Sequence, residues 1–173
     1  EQPISPEDVM RRIELCGRVC YKSEGKITFN SYKGFIQRII KRGHEAVLEH
    51  GNLIIGMSKD SDGGSGVWFS ALDRAFEQTG TASYIRKTHG NAQNIVSGNV
   101  RAWRDVLRVC AATNTRMPTA VHCILEAYGV LFSDLLGNVF SAGDEEAWIL
   151  HPGELTSGHE IRKHVCMTCW VTC

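Results

Sequence analysis

A short charged segment at residues 44–50 constrains this chain more than any other feature. It reads His-Glu-Ala-Val-Leu-Glu-His and lies between an amphipathic helix and an apolar run; we call it the signature segment. Its two histidines stand at the first and last positions, so they cannot share a metal ion across one helical turn as the His-Glu-x-x-His zinc pattern does. Taken alone, the segment is typical of a helix end that carries solvated charges.

The flanking residues predict a helix, a break and a strand. An apolar stripe recurs at helical spacing after the cap at residues 30–31, and Gly43 is placed to end that helix. The apolar residues 53–57 then predict a short strand. The signature segment therefore connects a helix to a strand at a fixed spacing.

A second segment, residues 97–105, reads Ser-Gly-Asn-Val-Arg-Ala-Trp-Arg-Asp and predicts the start of a capped helix. An apolar face follows, and the other faces carry Arg101, Arg104, Asp105 and Arg108. A free helix N-terminus favours an anion, and Arg101 in the first turn could make a bidentate hydrogen bond to a phosphate or stack on a planar ring. Asn99 could donate and accept hydrogen bonds at the edge of a heterocycle. The alternative is an ordinary capped amphipathic helix.

Together the two segments resemble signatures of the flavin-dependent thymidylate synthases. That family carries His-Glu-[Ser/Thr/Ala]-x-x-Glu-His directly before a strand and Asn-x-Arg-x-x-x-Asn/Asp at the start of a helix, and both patterns occur here. The resemblance implies that FAD is bound by His44, Ala46, Glu49, Asn99, Arg101 and Asp105. It also implies substrate contacts from Arg104 and Arg108, and a position near the flavin for Ser23 in the segment Cys-Tyr-Lys-Ser.

The resemblance further implies a particular chemistry. Members of the family pass a one-carbon unit from methylenetetrahydrofolate to dUMP, with NADPH reducing the FAD, and they are homotetramers whose active sites combine residues from several subunits. No protein nucleophile attacks the base in that family, so no catalytic residue is assigned here. We expect a cytoplasmic protein in which the flavin carries the hydride and the protein supplies binding and orientation.

The chain departs from the family in three respects. Cys110 stands where the family has an arginine that contacts the uracil, and the Arg-His-Arg hallmark that binds nucleotide and flavin does not occur. The helix starting at Asn99 normally comes after that hallmark, so the order of the segments also differs from the commonest members. Residues 159–173 resemble the strand that leads into this hallmark. We therefore expect a single domain over residues 1–173 that is incomplete at its C-terminus, and little synthase activity from this chain alone.

The remaining patterns predict an α+β fold, with helices packed on a mostly antiparallel sheet. Periodicity and turn residues predict helices over 70–78 and 117–136, strands over 83–88, 92–97 and 164–173, a turn or flexible loop over 59–66, and a loop or short helix over 144–152.

Composition excludes some classes of function and leaves others open. The formal net charge is zero, so no global field attracts nucleic acid or an anionic membrane, and no apolar run approaches the roughly 20 residues that span a bilayer. The seven cysteines are expected to be reduced and mostly buried. Cys166, Cys169 and Cys173, with His159 and His164 nearby, leave a metal-binding protein as one alternative, although no metal ligand is assigned. A truncated or degenerate nucleotide- or flavin-binding module without activity is the other.

Overall fold

The computed structural model of this chain describes residues 5–58, 64–79, 85–89, 93–141 and 146–150. Its elements in chain order are α1 (Pro6–Cys20), α2 (Ser31–Lys41), β1 (Asn52–Ser58), α3 (Gly64–Thr79), β2 (Ile85–His89), β3 (Gln93–Asn99), α4 (Val100–Thr113), α5 (Thr119–Ala127), α6 (Ser133–Leu136) and β4 (Ala147–Ile149). Short 3-10 helices occupy Glu24–Lys26, Glu45–His50 and Gly129–Leu131.

The four strands form one antiparallel sheet in the order β2-β3-β1-β4. Side chains alternate between the two faces of a strand, and β1 is buried on both. Ile55 and Met57 belong to the main core, together with residues of the helices, whereas Ile54 packs with Ile95 and Leu150 in a smaller cluster. The predicted α+β fold with a mostly antiparallel sheet is confirmed.

Helices α1 and α2 approach closely at Gly17. A Cβ atom at this position would lie 2.5 Å from Cζ of Phe35 on α2 and 2.7 Å from Cγ1 of Val47 in the signature segment. Only a residue without a side chain leaves room for both groups. The contact therefore holds the signature segment against the two helices that precede it.

The signature segment does not continue α2. That helix ends at Lys41, and Gly43 follows with a φ of +70°, a left-handed conformation that favours glycine. Glu45–His50 then forms a 3-10 helix whose Leu48 is fully buried. The helix break predicted at Gly43 is confirmed.

Strand pairing brings the end of the signature segment to the start of α4. The antiparallel register of β1 and β3 places Asn52 opposite Asn99. Next to this pair, the amide of Val100 donates to the carbonyl oxygen of Gly51 at 2.8 Å. Two segments that are far apart in the sequence are thereby placed side by side.

Three element predictions differ from the structure. Helix α3 begins at Gly64, inside the segment predicted as a turn or loop. The helix predicted over 117–136 is interrupted at Gly129, where φ is +48°, and is divided into α5, a 3-10 helix and α6. Strand β4 lies where a loop or short helix was predicted, because pairing with β1 stabilises an extended conformation that the local sequence itself favours only weakly. The strand predicted over 164–173 lies outside the described residues.

Four cysteines lie in the described part of the chain, and all four are free thiols. Cys110 is buried, but Cys20 and Cys123 are exposed, so the expectation of buried thiols is wrong for these two. Within the described ranges no group of three or more His, Cys, Asp or Glu residues is arranged to hold a metal ion, and Cys166 and Cys169 fall outside those ranges. None of the described helices is both long and apolar enough to cross a bilayer.

Candidate functional site

A carboxylate–guanidinium contact joins the two segments that carry the resemblance. Nη1 of Arg101 donates to Oε1 of Glu49 at 2.6 Å. The two side chains keep 45% and 39% of their surface exposed, respectively, so a ligand could reach them from solvent. The hydrogen bond to Glu49 is the main cause that raises the pKa of Arg101.

Glu45 makes a second contact between the same two segments. Its Oε1 accepts from Nη2 of Arg108 at 2.5 Å and from Nε of Arg104 at 3.3 Å. Burial raises the pKa of this carboxyl group, but the hydrogen bond from Arg108 and the charge of Arg104 outweigh burial and hold the pKa of Glu45 below its usual value. Glu45 is therefore ionised at neutral pH and anchors α4.

Arg104 is the buried centre of this network. Its side chain is 1% exposed, and Nη1 and Nη2 donate to the two carboxylate oxygens of Asp134 at 2.8 and 2.7 Å. Nη1 also donates to the carbonyl oxygen of Leu131 at 2.5 Å. The planar fork thereby ties α4 to α6 and to the 3-10 helix before α6. The hydrogen bond from Arg104 is the main cause that lowers the pKa of Asp134.

Helical spacing explains why three arginines of α4 meet one acidic surface. Arg101, Arg104 and Arg108 are three and then four positions apart, so they lie along one face of the helix. Glu45 and Glu49 face them from the signature segment. The sequence pattern did not predict that Arg104 would be buried.

Asn99 and Asp105, both predicted to contact FAD, have roles within the protein. Asn99 caps α4 as predicted, since its Oδ1 accepts from the amide of Ala102 at 2.8 Å. The cap does not use the two donors of its side-chain amide. Asp105 accepts from Nη1 of Arg108 at 2.6 Å. Their contacts to a flavin stay predictions.

The other predicted contacts, His44, Ala46 and Ser23, take no part in the described ion pairs of α4. His44 and Ala46 are exposed, and Ser23 is half-buried. Nδ1 of His44 lies 3.2 Å from the hydroxyl oxygen of Tyr21, and His44 and Ser23 line the same groove. Within the described residues, no hydrogen bond or ion pair joins His44 or Ser23 to Arg101.

The set of site residues predicted from the sequence omits two acidic members of the network. Glu45 belongs to the signature segment, so a search for partners of the α4 arginines could have found it there. Asp134 lies on a four-residue helix far along the chain, and no local pattern indicates its role. The ion-pair network therefore includes residues that the sequence motifs did not assign to the site.

Cys110 cannot replace the arginine that the family has at this position. It is buried, and burial raises the pKa of its thiol to about 11, so the thiol is neutral at pH 7. Arg108 is the nearest predicted substrate contact along α4, and 39% of its side chain is exposed. Its guanidinium is already shared between Glu45 and Asp105.

Comparison with known proteins gives no match. No protein-family model matches this chain, and neither a curated protein nor a solved structure does.

Proposed function

We propose that this protein is a flavin-dependent thymidylate synthase, which methylates dUMP to dTMP with methylenetetrahydrofolate as the carbon donor and NADPH as the reductant. The 2.6 Å contact between Glu49 and Arg101 supports this proposal most strongly. The two segments that match the family's patterns are distant in the sequence, and a shared binding surface requires them to meet. If the two matches were unrelated and due to chance, nothing would require the two segments to be in contact.

The exposed pair has suitable chemistry for an anionic or planar cofactor such as FAD. Arg101 uses Nη1 for Glu49, and its guanidinium has further donors for diphosphate oxygens. It lies in the first turn of α4, where amide groups and the helix dipole favour an anion. Arg101 and Asn99 would hold the cofactor, while Glu49 fixes the position of the arginine. When bound, FAD supplies hydride chemistry, and the protein supplies binding and orientation.

The substrate side of the proposed site is less complete. The phosphate of dUMP is a dianion and needs several donors. Arg104 fits this role poorly, because it is buried and already donates to Asp134 and Glu45. Arg108 is shared by Glu45 and Asp105. We therefore keep the prediction that this chain alone turns over more slowly than about 1 per second, a low rate for an enzyme.

A homotetramer in the cytoplasm belongs to the same proposal. Active sites of the family combine residues from several subunits, so a neighbouring subunit would contribute donors that one chain does not offer to dUMP. Light scattering on the purified protein tests the assembly. A monomer at all concentrations would count against shared active sites.

The same ion pairs favour a second candidate, a nucleotide- or flavin-binding module without activity. Asp134 and Glu45 neutralise Arg104, and Glu45 and Asp105 neutralise Arg108, as the residues of a structural network would. In that case the network positions the exposed Arg101, and neither Arg104 nor Arg108 is left for a substrate phosphate.

Visible spectra separate the two candidates. The protein is mixed with FAD, passed through a desalting column and scanned before and after dUMP is added. The synthase proposal predicts retained flavin bands that shift with dUMP, because base and flavin would share one site. Retained bands that do not change when dUMP is added favour the inactive module. A spectrum without flavin bands contradicts both the synthase and a flavin-binding module.

A further inference from the structure

A basic groove lies between the C-terminal ends of α1 and α2. Its volume is about 300 Å³. Lys26, Arg38 and Arg42 line it as exposed cations, and the buried side chains of Phe35 and Ile39 line it from the core side. The groove therefore combines positive charge with an apolar surface.

Three cations of this groove have no counter-ion among the residues that the structure describes. In the described part of the chain, no hydrogen bond or ion pair engages the side chains of Lys26, Arg38 and Arg42. Arg18, which also lines the groove, differs because its Nε and Nη2 donate to Glu14 at 3.2 and 3.1 Å. Unpaired like charges that face one space repel each other, and an anion placed among them removes that repulsion.

Neutral donors complete the lining. The hydroxyl groups of Tyr21 and Ser23 can each donate to a ligand oxygen, and His44 lies beside Tyr21. No carboxylate is among the described residues that line the groove. Glu24, the neighbouring acid in the 3-10 helix Glu24–Lys26, is exposed and does not line it.

Helix dipoles explain only part of this arrangement. Cations are favoured at helix C-termini, which accounts for basic residues in the last turn of α2. The dipole of α2 does not account for Lys26, which comes from a separate element and faces the same space. Convergent cations beside an apolar surface are typical of a site for an organic anion.

We propose that this groove binds an organic phosphate of about mononucleotide size. The phosphate accepts from Lys26, Arg38 and Arg42, and the ring of the ligand lies beside Tyr21, which lines the groove and is 48% exposed. A phosphate dianion balances several cations better than a single carboxylate does, and 300 Å³ is at the small end of ligand pockets. The site goes beyond the proposed synthase function, because Arg101, Arg104 and Arg108, the arginines assigned there to FAD and dUMP, do not line it. It borders the predicted flavin contacts at His44 and Ser23.

Calorimetric titration with 5′-AMP, adenosine and inorganic pyrophosphate tests this assignment on the intact chain. We expect 5′-AMP to bind, and adenosine and pyrophosphate each to bind at least about tenfold more weakly, because each lacks one of the two recognised parts. Absence of AMP binding would overturn the assignment. Pyrophosphate binding as tight as AMP would also overturn it, since the apolar surface would then contribute nothing.

Paired variants locate the binding. Arg38→Gln with Arg42→Gln should weaken AMP binding at least about tenfold, and both side chains are exposed, so the fold should persist. Arg12→Gln with Arg74→Gln removes the same charge from exposed positions elsewhere and should leave the affinity within about twofold. Equal losses in the two pairs would show a general charge effect and overturn the site. A loss seen only with Arg101→Ala would place AMP on the proposed flavin surface instead.

Discussion

Replacing Arg104 with alanine is the most informative perturbation of the ion-pair network. Arg104 is 1% exposed and connects α4 to Asp134 on α6 through two hydrogen bonds of 2.8 and 2.7 Å. It also donates to the carbonyl oxygen of Leu131 and to Glu45. Arg104→Ala removes all of these contacts and leaves a void in their place.

The expected loss of stability follows from how the former partners can respond. Removing one member of a buried charge pair costs about 3–5 kcal/mol. Asp134 is 44% exposed and can be rehydrated, and Glu45 keeps its hydrogen bond to Arg108. We therefore expect Arg104→Ala to lower the free energy of unfolding by about 3 kcal/mol, at the lower end of this range. For a chain of this size that corresponds to a fall in melting temperature of roughly 6–12 °C.

Urea unfolding followed by circular dichroism measures this difference. Arg101→Ala is the matched control, since it makes the same change on the same helix but at a pair in which both partners are exposed. Exposed pairs contribute at most about 1 kcal/mol. The explanation fails if Arg104→Ala lies within about 1 kcal/mol of the wild type, or if both variants lose the same stability.

Three further outcomes are expected. Gly17→Ala should destabilise the fold by about 1–3 kcal/mol in thermal unfolding, because its Cβ would lie 2.5 Å from the Phe35 ring; unchanged stability would show that α1 can move away freely. Folding lowers the pKa values of Glu45 and Asp134. The stability that these two carboxylates contribute is therefore fully present above their ordinary pKa values of 4.5 and 3.8, and it is lost as the pH falls through the lowered pKa values of the folded protein. Urea titrations between about pH 5 and pH 1 should show this loss, and Glu45→Gln should reduce it; an identical pH dependence in the variant would contradict the role of Glu45. His44→Ala should reduce the flavin retained after desalting, measured by absorbance, and full retention would remove His44 from the site.

Short-range signals in the sequence predicted much of the frame of the site. A cap at Asn99 and a break at Gly43 follow from the conformations and hydrogen bonds that these residues favour, and both are present. The strand after the signature segment follows from an apolar pattern, and the two strands before α4 follow from periodicity together with the turn residues between them. Each of these features depends on a few neighbouring residues, which is why the sequence alone predicts it.

The partners of the site residues depend on contacts between distant segments. Asp134 meets Arg104 only because the helix predicted over 117–136 breaks at Gly129 and α6 turns back towards α4. The basic groove is similar, since Lys26 and Arg38 come from different elements. No spacing rule connects such residues, so their meeting could not be predicted from a single sequence.

Equilibrium titration of FAD, followed by flavin fluorescence, tests most directly whether Glu49 and Arg101 form a cofactor surface. Wild-type protein should bind FAD, and Arg101→Ala should bind it about tenfold to a hundredfold more weakly, the equivalent of one charge-assisted hydrogen bond of about 1.5–3 kcal/mol. Arg12→Ala, at an exposed position on α1, should match the wild type within about twofold. Unaltered FAD affinity in Arg101→Ala, or no FAD binding by the wild type, would contradict the proposed flavin site.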